Sequence, residues 1–266
     1  MNKKINAYLS YAILITTITP SWANADGLND LNRALSALTG QSSIQAKLES
    51  SHNQIRDRED DSKATTGFIE LTLADGAPGF QLTYSNTVLD KIESEQVLKD
   101  QDEEANTPTT NAMNRLDTTQ LNQMLSAAPS LARFINKASF VDETPTEFQN
   151  QSARRLTFDL PLESLVDSAE VREYVDEFEG KYSVIIDNKG VPLQSILSFN
   201  GSGSAFVIFS VEMSQTNTTN YQQHGDRLVM IKQETQRSST STFADTESTE
   251  IKRLTVLPKE QLAKTR

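Results

Sequence analysis

The sequence predicts an α+β protein built on one antiparallel β-sheet that packs with a few helices. Through most of the chain apolar residues alternate with polar ones, which is the period of strands with one solvated face. Three other stretches have apolar residues at helical spacing. The 266 residues include no cysteine, so no disulfide can stabilise the fold. A hydrophobic core between sheet and helices must therefore provide the stability.

The first 25 residues have the pattern of a secretory signal peptide. Lys3 and Lys4 begin it, an uncharged apolar stretch follows, and Ala23 and Ala25 supply the small residues of an A-x-A cleavage site. The apolar stretch is shorter than the roughly 20 residues that span a bilayer. We therefore predict cleavage after Ala25 and a periplasmic location. No later stretch is long and apolar enough to span, which predicts no stable membrane insertion.

The charge of the chain restricts its partners. The net charge is −11, and loss of Lys3 and Lys4 with the signal peptide lowers it by two, to −13. Such a surface repels nucleic acid and anionic lipid headgroups, so neither is expected as a general partner. The absence of cysteine also excludes thiol chemistry and lipidation at a lipobox cysteine.

Residues 26–266 are predicted to form a single β-rich domain, because no Pro/Gly linker divides them. A polar and helical insertion is expected at about 90–137, with a solvated, mobile segment at 99–110. The predicted strands lie near 43–54, 65–74, 80–89, 154–160, 181–187, 191–200, 204–214, 226–237 and 249–257. The predicted helices lie near 27–39, 117–136 and 168–179, the last two beginning at capping-box patterns.

Two features of the C-terminal third shape the expected architecture. Asp187-Asn188-Lys189-Gly190 is typical of a hairpin turn. Val184–Ile186 and most of Ala205–Val211 are apolar on both faces of their strands, and such runs indicate a sheet covered on both sides. Helices can cover one side. What covers the other is the main functional question.

A search for catalytic residues finds no arrangement that predicts an enzyme. His52 and His224 are the only histidines, and we interpret them as a half-exposed strand residue and a hairpin end. Ser202 lacks the spacing of a nucleophile elbow. The acidic runs 59–61 and 102–104 lack the glycine and terminal glutamate of a calcium loop. We therefore predict no catalytic residue, metal or cofactor. A glycosidase-like carboxylate pair stays open, because no spacing singles one out.

One stretch resembles a known family. Gly67–Leu73, followed by Pro78-Gly79-Phe80 and Tyr84, resembles the signature of LolA-like periplasmic lipoprotein carriers. The order of elements agrees with that family, as does a later D-x-x-G-x-P pattern at 187–192. The resemblance covers roughly residues 28–84 and 181–258. It implies a half-barrel, a curved antiparallel sheet closed by helices over an apolar cavity that holds acyl chains.

The sequence also departs from the family. In the carriers a basic residue commonly adjoins the P-x-F motif and helps to position the lipoprotein, whereas Ala77 and Gln81 occupy those positions here. This difference argues against lipoprotein shuttling and is compatible with binding of an apolar ligand.

Two functions are therefore considered. The first is a non-enzymatic carrier of an apolar ligand such as a lipid or a lipoprotein acyl chain; the second is an envelope interaction or sensor scaffold with a filled core. For the carrier, we predict an apolar pocket whose lid is formed by the 117–136 helices. Its expected lining residues are Phe80, Leu82, Tyr84, Phe206 and Ile208. The alternative for these five is that they are ordinary core residues. A cavity of several hundred Å³ would favour the carrier, a solid interior the scaffold.

Overall fold

A computed structural model describes residues 26–58, 61–205 and 209–258. They form one open, ten-stranded antiparallel sheet with helices, which confirms the predicted fold class. The strand order across the sheet is β3-β2-β1-β10-β9-β8-β7-β6-β5-β4. The strands are β1 (Ile44–Arg58), β2 (Asp61–Asp75), β3 (Gln81–Thr83), β4 (Ser139–Phe148), β5 (Gln151–Leu160), β6 (Val175–Ile186), β7 (Pro192–Ala205), β8 (Phe209–His224), β9 (Arg227–Ser241) and β10 (Asp245–Val256). The proposed signal peptide lies outside the described residues.

The helices are α1 (Gly27–Ala37), α2 (Asn86–Gln101), α3 (Pro108–Met113), α4 (Thr118–Leu125), α5 (Ala128–Ile135) and α6 (Ala169–Arg172). The predicted cap of α4 is confirmed, since the Gln120 N–H donates to Asp117 Oδ1 at 2.8 Å. The helical region predicted at 117–136 consists of α4 and α5, which are separated by Ser126 and Ala127. In the described parts of the chain, no helix combines the length and hydropathy needed to cross a bilayer.

The hydrophobic core lies between one face of the sheet, here called the inner face, and the helices. Leu48, at the centre of β1, pairs with Leu71 of β2 and Leu254 of β10, so that their side chains share that face. All three are buried, as are Leu31 of α1 and Leu121 of α4. Each such leucine contributes about 1.5–3 kcal/mol by leaving water. On β6, Val184–Ile186 is buried on both faces as predicted.

Helix α1 is fastened to the sheet by ion pairs. The Arg154 guanidinium lies 2.8 Å from Asp30 Oδ2 and 3.4 Å from Glu143 Oε1. The Gly27 N–H donates to Glu143 Oε2 at 2.9 Å. The predicted turn at 187–190 is confirmed and packs against the same helix. Gly190 has φ +85°, and a Cβ there would be 2.4 Å from the Asp30 backbone, so only glycine fits.

The strand predicted at 204–214 is wrong, because 204–205 end β7 and 209–214 begin β8, and Ala205 pairs with Phe209. Two further predicted elements are wrong at their C-terminal ends. The strand predicted at 80–89 pairs only over Gln81–Thr83, and α2 then begins because Ser85 caps it by accepting from the Val88 N–H. The helix predicted at 168–179 is confined to α6. Phe178 instead pairs with Gly201 of β7, so that strand pairing overrides the helical spacing. The segment predicted to be mobile contains the end of α2 and the start of α3.

Strand β4 was not predicted, because it lies at an edge of the sheet and lacks the pattern of a half-buried strand. β4 is mostly exposed, has little apolar alternation, and contains Pro145 and a bulge between Phe140 and Asp142. Proline and bulges are typical protections of an edge strand against pairing with another chain. At the opposite edge, β3 has only three residues. Both edges are therefore poor templates for strand addition.

The interpretation of His52 as half-exposed is wrong, because His52 is buried between β1, β2 and α3. Its partner in the β1–β2 register is Gly67, and a Cβ on Gly67 would lie 2.1 Å from the ring and 2.9 Å from the Ala112 backbone nitrogen. Burial, followed by the nearby Arg115, lowers the pKa of His52. His224 ends the β8–β9 hairpin as predicted. The glycine of the motif thus has a packing role.

Glu95 joins α2 to α3. Its carboxylate accepts from the backbone N–H groups of Thr109 (2.8 Å) and Thr110 (2.7 Å). Burial alone would raise the pKa of Glu95, but these hydrogen bonds outweigh it, so the pKa lies below its ordinary value of 4.5. This carboxylate therefore stabilises the fold above its unfolded pKa, and the stabilisation is lost as the pH falls through the folded pKa.

We expect Glu95→Ala to lower the free energy of unfolding by about 1–3 kcal/mol at neutral pH, because two N–H groups lose their acceptor. Urea denaturation of both proteins from about pH 7 down to about pH 3 measures this difference, which should shrink below the ordinary glutamate pKa. Glu93→Ala, on the exposed side of α2, is the control. A difference between wild type and Glu95→Ala that is constant with pH would contradict the assignment.

Candidate functional site

A cleft of about 240 Å³ lies on the inner face, between helices α4–α5 and strands β6–β9. The helices and strands each supply both polar and apolar side chains. The lining residues are Gln123, Ser130, Leu131, Phe134, Tyr182, Ser195, Leu197, Asn217, Thr219, Tyr221, Met230 and Gln233. The helices that were predicted as a lid therefore form one wall of the cleft.

The strand register brings the lining residues together in rows across the sheet. In one row Tyr182 of β6 pairs with Leu197 of β7, which pairs with Asn217 of β8. In the neighbouring row Ser195 pairs with Thr219, and Thr219 pairs with Gln233 of β9. Because side chains alternate between faces, all these residues face the helices. The site is thus made by pairing between strands and not by one sequence motif.

The floor of the cleft is a fixed hydrogen-bonded group. Ser195 Oγ and the Tyr221 hydroxyl are 2.8 Å apart, and both residues are buried. Burial raises the pKa of Tyr221 and, more strongly, that of Tyr182, so both phenols are protonated throughout the physiological range. The Phe134 ring meets Tyr182 edge-on at 4.8 Å between centroids. This geometry holds the apolar wall of α5 over a polar but uncharged floor.

The polar row continues beyond the cleft to a buried lysine. Gln233 pairs with Lys252 of β10, and Lys252 pairs with Ser50 of β1. Lys252 is 2 % exposed, and its ammonium pairs with the Glu250 carboxylate. A buried ammonium without a carboxylate would be costly. The pair therefore adds no net charge beside the cleft.

An apolar stripe extends the cleft along the inner face. Phe178 lies four residues before Tyr182 on β6, and Phe199 lies two residues after Leu197 on β7; their rings are 6.2 Å apart between centroids. Met213 of β8 pairs with Gly201 and is 38 % exposed. This stripe, defined by Phe178, Phe199 and Met213, begins where the helix-covered cleft ends.

The five predicted site residues lie either away from this cleft or outside the residues that the structure describes. Phe80, Leu82 and Tyr84 are half-buried at the β3 edge, where they pack against the core, and Leu82 pairs with Leu73. They are at the other end of the sheet from β6 and are not lining residues of the cleft. Phe206 and Ile208 lie outside the described residues. A role of these five residues in ligand binding stays a prediction.

The residues that do line the cleft gave almost no signal in the sequence. Thr219 and Asn217 belong to an uninterrupted polar run on β8, in which no alternation shows an inner face. Leu131 and Phe134 were recognised only as a helical face. In the parts of the chain that the structure describes, no group of three or more histidine or acidic side chains is arranged to hold a metal ion.

Comparison of the sequence with models of known protein families finds no match, and comparison with curated protein sequences finds none either.

Proposed function

We propose that this protein is a periplasmic, non-enzymatic carrier that binds an amphipathic ligand, such as a lipid or acyl chain, on the inner face of its sheet. The supporting observation is the cleft beneath α4 and α5, in which Leu131 and Phe134 of α5 oppose strands that carry neutral polar groups on either side of Leu197. Pockets for small ligands commonly combine an apolar lining with a few polar groups that fix orientation. The resemblance to LolA-like carriers and the signal peptide pattern of residues 1–25 also support this function and location.

The size of the cleft determines how such a ligand would lie. About 240 Å³ exceeds the roughly 150 Å³ of an engineered cavity that holds benzene, but falls below the roughly 300 Å³ of the smaller ligand pockets. One end of the ligand would fill the cleft, and the remainder would follow the Phe178–Phe199–Met213 stripe. Tyr182 and Phe178 are four residues apart, which is about 13 Å along a strand. Covering this stripe would contribute about 25 cal/mol per Å² of apolar surface.

The test uses the protein purified from the periplasm. We expect organic extraction and mass spectrometry to recover a lipid, and the emptied protein to take up a fluorescent acyl probe at micromolar concentration. Leu197→Gln should weaken uptake at least tenfold, since it replaces an apolar side chain of the cleft lining with a polar amide. Ile196→Gln, the next residue of β7 on the opposite face, is the matched control and should leave uptake unchanged.

The interaction scaffold is the second candidate, because large apolar side chains are exposed on the outer face of the sheet. Phe68 of β2 is 48 % exposed, and Ile55 of β1 is 39 % exposed. The same experiment distinguishes the two functions. A protein that yields no lipid and takes up no probe would exclude the carrier and favour the scaffold, whose partner would then be sought by crosslinking from position 68.

A further inference from the structure

We infer that the cleft selects amphipathic ligands whose polar end is uncharged, and that Asn217 and Gln233 recognise this end. This inference rests on the proposed function and specifies its ligand class: a neutral ester or amide of an acyl chain, and not a fatty acid anion.

The first argument is the charge of the cleft. Of its twelve lining residues, none is charged and eight are polar. Lys252, the buried cation that pairs with Gln233 across β9 and β10, is already neutralised by Glu250. Arg237 lies on the same face further along β9, but it is exposed and donates to Gln215. A carboxylate moved from water into this cleft would lose hydration without gaining a counterion, which is unfavourable.

The second argument is the hydrogen-bonding capacity that remains. Gln233 Oε1 accepts from the Gln120 amide at 2.8 Å, and Asn217 Oδ1 accepts from the Thr219 hydroxyl at 3.3 Å. Both oxygens are therefore engaged, whereas neither amide nitrogen has a hydrogen-bond partner within the described part of the chain, so both can donate to a ligand in the cleft. Neutral N–H donors pair well with the carbonyl oxygen of an ester or amide. Such a group would satisfy the polar row while its acyl chain contacts Leu197 and Phe134.

The test compares three amphiphiles that have the same twelve-carbon chain and differ only in their polar ends. They are 1-monododecanoylglycerol, dodecanoate and dodecylamine, added below their aggregation limits at about pH 7.5 to protein from which lipid has been extracted. Displacement of the fluorescent acyl probe measures their affinities. We expect the monoacylglycerol to bind at least tenfold more tightly than either ion. Dodecanoate should bind more tightly as the pH falls toward about 5, where more of it is protonated.

Two variants change the preference in opposite directions. Gln233→Lys should raise the affinity for dodecanoate at least tenfold, whereas Gln236→Lys, which adds the same charge to the exposed opposite face of β9, should not. Gln233 is buried, so a lysine at this position must also fit into the packed interior. Asn217→Asp is nearly isosteric and lies at a half-buried position, and it therefore provides an independent test. It should raise the affinity for dodecylamine and lower that for dodecanoate.

The possible results separate the inference from the proposed function. Wild-type protein that binds dodecanoate as tightly as the monoacylglycerol overturns the inference, although the carrier function would stand. An unchanged preference in folded Asn217→Asp also overturns it. Wild-type protein that binds none of the three amphiphiles and no probe overturns the carrier function itself.

Discussion

Replacing Arg227 with alanine is expected to lower the free energy of unfolding by about 3–5 kcal/mol, because it breaks a buried ion pair and leaves one charge without its partner. The Arg227 side chain is 1 % exposed. Its Nη2 lies 2.8 Å from Asp75 Oδ2, and its Nε donates to the Ser42 carbonyl at 2.6 Å. The substitution removes both contacts and the packing of the arginine stem.

Urea denaturation of wild type and Arg227→Ala measures this loss. Arg237→Ala is the control, since Arg237 is on the same strand, is exposed and, among the described residues, its guanidinium hydrogen-bonds only to the Gln215 side chain. It should change stability by no more than about 0.5 kcal/mol. Adding Asp75→Asn to Arg227→Ala should recover part of the loss, because the unpaired carboxylate is then removed. Equal midpoints for Arg227→Ala and wild type would show that the ion pair contributes nothing.

The second large effect is expected at Gly67. Gly67→Ala should destabilise the protein by about 1–3 kcal/mol, the usual cost of overpacking a core. The added Cβ would lie 2.1 Å from the His52 ring and 2.9 Å from the Ala112 backbone nitrogen. Either the buried imidazole or helix α3 must therefore move.

A double-mutant cycle with His52→Ala identifies which of them moves. If the ring is the main obstacle, Gly67→Ala should be far less harmful in the His52→Ala background than in wild type, and the coupling should exceed about 0.5 kcal/mol. Thr66→Ala, the exposed neighbour on β2, serves as the control. Additive effects in chemical denaturation would show that the clash with α3 dominates.

Elements of the fold that depend on local patterns could be predicted from the sequence. Alternation along β1 and β2 placed Leu48 and Leu71 on a buried face, and the Asp117 cap located the start of α4. The turn ending at Gly190 was predicted from residue type alone. In each case the chemistry that fixes the structure lies within a few neighbouring residues.

Features that depend on distant pairing could not be predicted. Thr219 is buried because it lies between Ser195 and Gln233 in the sheet, and nothing in its neighbourhood on β8 indicates this. Phe178 follows a helical stripe but joins β6, since β7 is available to pair with it. The site was predicted at the Gly67–Tyr84 motif, whereas the cleft lies at strands β6 to β9, away from that motif.

The position of β10 beside β1 has a consequence for the order in which the fold can form. Ala46 pairs with Val256, so the sheet joins segments about 210 residues apart. Until β10 is in place, the β1–β2 hairpin cannot connect with the strands from β9 to β4. Such nonlocal closure carries a high loop entropy and makes folding slow. In the interval the inner faces of both halves expose apolar surface, so this chain should depend on protection from aggregation until β10 has docked.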